Sequence, residues 1–519
     1  MSPVPKKGDL SNPNKWRPVC LLETTYKVLA SILAQRINPV IRDHGLEAQC
    51  GSLNSKGCPD ANFSLKSALQ LRREHNLPSH VLFVDLVKAF DSVNHNFLWR
   101  VLRKYGIPKK VVNIIKRMYS GFSLKFTVGE ATKEIPYTIG VHQGDNLAPL
   151  LFNIFFQAAL ESLEKVWKEH SLPIPTFRYF PTAKSGKFRG RLRGQSIRIG
   201  KEFPFKKSLY FNDGAFLFTT RLERQKGANL IFSHFRCFGL QMHIGTDGTY
   251  KDSKTEAVFF PPPGIDPNTV DTSPVPVANG YITYTPSFKY LGSYITQDLS
   301  VTFDVKNRII QANKAMASMM PHVFRNKSLS RHVKKLLYMA IPVNLLLWGC
   351  ETWALKESDR RLLQVFHTTS IRRILNINML EVQMRKITNE FLYEEFRIDP
   401  IAHIMASRQV RWLGNIARMG ENRLPRKFIA AWHTNTRPTG RPQQTLRHTY
   451  LHALRMLGAI LVRLNIQYFS SQVIVRFLGY VMEFWFVEKS WFVFRFVFIF
   501  FIVIFILELV LVIVPSCCI

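Results

Sequence analysis

Two aspartates fall where carboxylates could work together, one at the end of a strand and one at a hairpin turn. His80-Val-Leu-Phe-Val-Asp85 is a short apolar run closing on an acid, which reads as a buried strand. Ser208-Leu-Tyr-Phe-Asn-Asp-Gly-Ala-Phe-Leu-Phe218 sets two β-prone runs around Asn-Asp-Gly, a strong hairpin signal. Together the two segments bring Asp85 and Asp213 to neighbouring strand ends. Paired carboxylates there can hold two Mg²⁺ ions, which activate a 3′-hydroxyl and neutralise a leaving pyrophosphate during in-line phosphoryl transfer. Taken alone, each aspartate is more often a cap or turn residue. The neighbouring motifs change that weighting.

The elements that must position these acids follow from periodicity. Val28, Leu29, Ile32, Leu33 and Ile37 recur at helical spacing within Tyr26–Ile37. Asn96–Tyr105 and Lys109–Tyr119 read as helices punctuated by Gly106 and Pro108. Thr127–Thr138 alternates weakly, as a hairpin does, and Leu147–Val166 is a long apolar-faced helix. Between Pro173 and Lys207 lies a basic, Gly-punctuated stretch that reads as a hairpin or loop. Leu222–Gly239 is helical, Pro261–Pro276 is a Pro-rich connection, and Lys289–Thr296 is a strand. From Val305 to Leu457 the chain turns to helical segments dense in Lys and Arg.

Across 519 residues, 70 Lys and Arg against 36 Asp and Glu leave a formal charge of +34. Such an excess repels itself without a polyanionic partner, so nucleic acid or an anionic membrane surface is expected. An apolar content of 46% excludes global disorder. The seven cysteines form no CxxC pair and no Cys/His spacing suited to zinc, which reads as reduced thiols in a nuclear or cytoplasmic compartment. Met1–Trp16 has no apolar core of a secretory signal.

Phe83-Val-Asp85-Leu-Val-Lys-Ala-Phe90-Asp, Gly140-Val-His-Gln143-Gly144-Asp-Asn-Leu-Ala-Pro149 and Tyr210-Phe-Asn-Asp213-Gly stand in the order and spacing of a polymerase palm. From Asn12 to Arg447 the chain resembles the reverse transcriptases of non-LTR (LINE-like) retrotransposons. The resemblance implies an α+β right-hand polymerase fold. Partial fingers would occupy 1–78, the palm 79–300 and a helical basic thumb 301–458. It also implies an RNA template, a DNA primer, dNTPs and Mg²⁺ or Mn²⁺.

By the same resemblance, Asp85 and Asp213 are the metal-binding acids, and Leu86 offers a backbone carbonyl to the metal. Phe90 matches the bulky residue that excludes a ribose 2′-hydroxyl. Gln143 and Gly144 border the nucleotide and template, and His142 stands where a basic residue usually meets backbone phosphate. Arg17 and Lys27 resemble cations of the fingers that meet the triphosphate. Arg17 is the better candidate, since a planar guanidinium grips phosphate bidentately. Gln49-Cys-Gly51 resembles the next fingers motif, without its arginine-rich continuation. Lys254 matches a lysine near the leaving pyrophosphate, as general acid or charge clamp. Tyr290, Leu291 and Gly292 resemble the primer-grip hairpin. Arg408 and Arg411 belong to a thumb face that follows phosphates, where the Trp residues read as core.

One departure matters most. The family's hairpin carries two aspartates, and Asn212 replaces the first. An amide gives a neutral oxygen without the charge that holds two close divalent ions, so turnover should fall or vanish. The alternative is an inactive RNA- or DNA-binding protein. No endonuclease is expected in this chain. Residues 459–519 form a hydrophobic tail in which 496–514 is long enough to span a membrane. The rival reading is translated sequence past the element's end, since eleven of the forty Phe follow Tyr468.

Overall fold

The computed structural model describes residues 2–5, 11, 16–51, 55–128, 130–181, 195–248, 253–266, 269, 271–438 and 445–457. The tail 459–519 and the stretch 182–194 of the basic connection therefore lie outside the described residues. Among the described residues, no helix is long and apolar enough to cross a membrane.

The strands are β1 (Ser2–Pro5), β2 (Trp16–Val19), β3 (Ser79–Val84), β4 (Leu86–Val87), β5 (Ser123–Val128), β6 (Ala131–Pro136), β7 (Thr176–Tyr179), β8 (Lys201–Pro204), β9 (Lys207–Tyr210) and β10 (Asp213–Phe218). They continue with β11 (Gln241–Met242), β12 (Glu256–Phe260), β13 (Val275–Val277), β14 (Gly280–Tyr284), β15 (Ser287–Tyr290) and β16 (Ser293–Thr296). Six of them form one sheet in the order β13-β14-β12-β3-β10-β9. It is antiparallel except where β12 meets β14. The helices before and within it are α1 (Thr24–His44), α2 (Cys58–Glu74), α3 (His95–Lys104), α4 (Lys109–Tyr119), α5 (Ala148–Glu169) and α6 (Arg221–Cys237). This is the α+β class expected.

The sheet is buried on both faces because its central strands are apolar over Val81–Val84 and Ala215–Phe218. Alternation then sends neighbouring residues into different cores. Leu82, Val84, Phe216 and Phe218 pack under α1, α3, α4, α5 and α6. Val81, Phe83, Ala215 and Leu217 pack on α2, β7, β8 and later helices. A strand that satisfies two cores is fixed in register, since a slip of one residue would exchange them. That rigidity is what a strand-end site needs.

After the sheet come α7 (Thr302–Met319), α8 (Arg331–Tyr338), α9 (Asn344–Leu346), α10 (Glu357–Ile374), α11 (Met379–Met384), α12 (Asn389–Phe396), α13 (Ile401–Arg418), α14 (Leu424–Phe428) and α15 (Leu446–Met456). α7, α8, α10 and α12 build a third core around Val305, Tyr338, Trp353 and Phe366. α13 joins both regions, with Met405 in the third core and Trp412 and Ile416 in the second.

Two local readings are corrected. Lys289–Thr296 is not one strand: β15 and β16 pair across a two-residue turn, Leu291-Gly292. Both turn residues have positive φ, 47° and 81°, as tight hairpins require. In the other hairpin, Asp213 is already the first residue of β10 and pairs with Tyr210. The turn is Phe211-Asn212 rather than Asn-Asp-Gly.

Candidate active site

β3 and β10 set the two acids. Gly214 pairs with Val84, so the next residues outward, Asp213 and Asp85, meet at the same edge. Enclosure by the surrounding chain, and then the negative charge of Asp85, push the Asp213 carboxyl up to about 6. Asp213 keeps an open surface, so solvent screens part of this effect, and the Asp85 charge is the informative cause. An acid raised by the charge of a second one beside it is what a cation would relieve.

The backbone of Asp85 is anchored from the far side. Its N–H donates to the Thr255 hydroxyl at 3.2 Å, and its carbonyl accepts the His243 N–H at 2.9 Å. Leu86 faces Met242 in the short β4–β11 ladder. Since Asp85 and His243 form the bonded pair, Leu86 and Met242 form the non-bonded one, which turns the Leu86 carbonyl away from β11. Thr255 was given no role from the sequence; its neighbour Lys254 drew attention by the family resemblance. Lys254 itself is exposed, with its N–H on the His243 ring.

The Phe211-Asn212 turn is clamped by Gln49. The Phe211 N–H donates to Gln49 Oε1 at 2.8 Å, and Gln49 Nε2 donates to the Phe211 carbonyl at 3.2 Å. The Gly51 N–H shares Oε1 at 3.0 Å. Phe211 has φ +52°, a conformation costly for a bulky residue. A Cβ on Gly51 would stand 2.6 Å from the Phe211 nitrogen, so only glycine fits there. Gln49-Cys-Gly51 thus braces the hairpin. Lys56, which follows it, forms an ion pair with Glu47 at 2.8 Å, and Glu47 also meets Arg423 at 2.9 Å.

Gln143 and Gly144 adjoin the first motif. Gln143 Nε2 donates to Asp91 Oδ1 at 2.9 Å, and its carbonyl accepts the Cys20 N–H at 2.7 Å. Gly144 has φ +117°, and a Cβ there would lie 2.7 Å from the Cys20 carbonyl oxygen. The segment after β2, which carries Arg17, is thereby docked on Gln143. Asp91 is a further residue that sequence reasoning passed over. Phe90 is half-buried and stacks on Phe152 at 4.5 Å, with Phe211 at 6.1 Å. Its ring stands between the core and the hairpin turn.

His142 does not serve as a phosphate contact. It is fully buried and stacks on Tyr119 at 4.2 Å, with Phe122 and Tyr137 around it. Burial pushes it down to about 4, so the ring is neutral at pH 7.

The remaining candidates lie at different depths. Lys27 is exposed on α1, and Arg17 lies on β2 opposite Val4. Tyr290 is buried, and its hydroxyl donates to the Ser208 carbonyl at 2.9 Å. Its ring therefore offers no surface to a primer, and the turn at Leu291 and Gly292 is the accessible part. Arg408 is half-buried and donates to Asn344, whereas Arg411 is exposed. Trp353 and Trp412 are core, as expected, but Trp348 is 48% exposed.

Among the described residues, no cluster of three His, Cys, Asp or Glu could hold a metal ion. A cation at the strand ends would rest on two carboxylates, backbone carbonyl oxygen and the Asn212 amide. These are hard oxygen donors suited to Mg²⁺ or Mn²⁺. The set fits the ion in kind and is one charge short.

Residues 4–181 match the family described as reverse transcriptase (RNA-dependent DNA polymerase). The Pol polyprotein of the type-1 retrotransposable element R2 of Popillia japonica is 34% identical over 163 residues, covering 31% of this chain and 23% of that protein. The corresponding polyprotein of element R2DM from Drosophila melanogaster is 31% identical over 161 residues, 31% of this chain and 15% of its own. A 149 kDa protein of transposon TX1 from Xenopus laevis is 30% identical over 166 residues, covering 32% of this chain and 13% of that protein. The aligned stretch spans less than a quarter of each relative's length. Among solved structures, apo telomerase from Candida tropicalis overlays with TM-score 0.38 and 10% identity, over 87% of this chain and 61% of that one. That overlay is too loose to transfer any detail.

Proposed function

Because the chain carries a reverse transcriptase domain of the non-LTR retrotransposon kind, we propose that it extends a DNA primer along an RNA template, with turnover weakened by Asn212. The observation that carries this reading is the facing pair Asp85 and Asp213, in which one acid raises the other. Mg²⁺ or Mn²⁺ would supply the charge that activates the primer hydroxyl and steadies the leaving pyrophosphate. Asp85, Asp213 and the Leu86 carbonyl would hold the cation, and Asn212 would contribute a neutral oxygen. Phe90 would limit the sugar, Gln143 and Gly144 would border the nucleotide, and Arg17 and Lys27 would meet its phosphates. Lys254 would lie on the pyrophosphate side. Leu291 and Gly292 would touch the primer, and Arg411 with Arg408 would follow the duplex backbone. In this reading residues 1–78, 79–300 and 301–458 act as fingers, palm and thumb.

A second reading has its own observation. With Asn212 in the turn, the fold can bind primer–template without turnover, because binding rests on dispersed cations in a chain of charge +34. Primer extension by the full chain on poly(rA)/oligo(dT), with Mg²⁺ and then Mn²⁺, separates the two. Loss of one such electrostatic element typically lowers rate by about 10²–10³, so Asn212→Asp should raise synthesis by a comparable factor. Asp85→Ala should abolish whatever synthesis exists, and duplex affinity should change little in either variant. An inert Asn212→Asp that still binds duplex tightly refutes the view that this turn is the missing element.

A further inference from the structure

Trp348 is held rigidly on the surface, beside the tip of the β15–β16 hairpin. Among the described tryptophans, Trp99, Trp167, Trp353, Trp412 and Trp432 are each at most 7% exposed and Trp16 is half-buried, whereas Trp348 is 48% exposed. Its indole edge lies against the turn, since a Cβ on Gly292 would stand 3.0 Å from its ring nitrogen. The next residue, Gly349, has φ +80°, and a Cβ there would meet the Ser293 hydroxyl at 2.6 Å. From the other side, Gln409 on α13 donates to the Cys350 carbonyl at 2.9 Å. The hairpin is fixed in turn to α7: Asp304 accepts from the Tyr294 N–H at 3.1 Å and the Trp353 indole at 2.9 Å. So large an apolar ring, left open on so fixed a mount, has a use in contact.

The surroundings say with what. Arg408, bonded to Asn344 four residues before Trp348, and the exposed Arg411 lie on the adjoining helix. An exposed indole among cations, on a chain of charge +34, suits a ligand that has both a flat π-face and a negative backbone. Single-stranded nucleic acid is such a ligand. We propose that Trp348 is a stacking platform for an unpaired nucleobase at the edge of the bound primer–template, next to the Leu291-Gly292 turn. This rests on the nucleic-acid reading of the site and adds a contact that the three palm motifs do not contain.

The test measures binding of the full chain to a short oligothymidylate and to an abasic strand of equal length, which keeps the phosphates and lacks the bases. Stacking on one aromatic ring corresponds to about 5- to 150-fold in affinity. Trp348→Ala should weaken the natural strand by about ten-fold or more and leave the abasic strand unchanged. Trp348→Phe should retain most of the affinity. The salt dependence should stay the same, since no cation is removed. An unchanged preference for the natural strand in Trp348→Ala overturns the platform. So does equal weakening toward both strands, which would mark a disturbed fold and leave Trp348→Phe to report the same loss. If the parent protein binds neither strand nor primer–template, the nucleic-acid reading itself falls, and the platform with it.

Discussion

Replacing Gln49 by Ala should loosen the Phe211-Asn212 turn far more than any neighbouring part of the sheet. Three hydrogen bonds depend on that amide, two to Phe211 and one to Gly51. At about 1 kcal/mol each they are worth about 3 kcal/mol. Freeing a buried Gln returns about 1 kcal/mol or more of side-chain entropy. The left-handed backbone of Phe211 adds roughly 1 kcal/mol of tendency to relax once the clamp is gone. The net loss is about 2–3 kcal/mol, confined to the turn because β10 keeps its ladder to β3. Hydrogen exchange of a peptide covering 207–218 should then quicken by about 30- to 150-fold. A peptide covering 275–284, on the far edge of the same sheet, should exchange as before. Gln49→Glu keeps one oxygen but sets a second against the Phe211 carbonyl, so it should behave like the alanine. Unchanged exchange at 207–218, or equal quickening everywhere, would refute a local brace.

Two further outcomes follow from buried polar groups. Burial, the first cause in each, holds His80 down to about 3 and His142, His367 and His433 down to about 4. The unfolded chain takes up protons near pH 6.5 and the folded one does not, so stability is present above that pH and lost as it falls toward 4. Buried carboxyls act in the opposite sense: burial raises Asp213 to about 6 and also raises Asp60, Glu74, Asp145, Glu256 and Glu351. The His142 part is therefore read by difference, and on acidification toward pH 4 the urea midpoint of His142→Phe should lose less, or gain more, than that of the parent protein. Separately, Asp304→Asn leaves Arg308 without its buried partner and weakens the joint between hairpin and α7. A loss of about 3 kcal/mol is expected for such a pair, read as earlier proteolysis within 287–296.

What the sequence disclosed was local and apolar. The helix read at Lys109–Tyr119 has those same ends, because Pro108 opens it and its apolar stripe is unbroken. The strand ending at Asp85 was legible from a run that is buried at every position. The turn of the second hairpin was misplaced because Asn-Asp-Gly favours a turn by itself, whereas the register is set by Phe216 and Phe218 reaching the core under α5 and α6. The brace from Gln49 was not legible because its partner Phe211 lies 162 residues away, and no local pattern reports such a span. His142 stood where a basic residue is usual, and nothing in its sequence neighbourhood foretells the rings of Tyr119 and Tyr137 that bury it. Trp348 and Trp353 lie five residues apart and both read as core, and only packing separates the ring in the core from the ring in solvent.

The same geometry explains how Asn212 can stand in this turn without cost to the fold. Asp85 and Asp213 already crowd negative charge at one sheet edge, enough to move Asp213 up to about 6. A third carboxylate at the turn would add repulsion wherever no cation is bound. The amide removes that repulsion while Gln49, Gly51 and the β3–β10 ladder hold the turn through backbone atoms alone. Everything that shapes the site is therefore independent of the side chain at 212, and everything that charges it is not. Functional strand ends store such unfavourable charge because a metal ion repays it. Under the proposed metal-binding reading the backbone frame stands without a third carboxylate, and Asn212→Asp tests whether charge is what the site lacks.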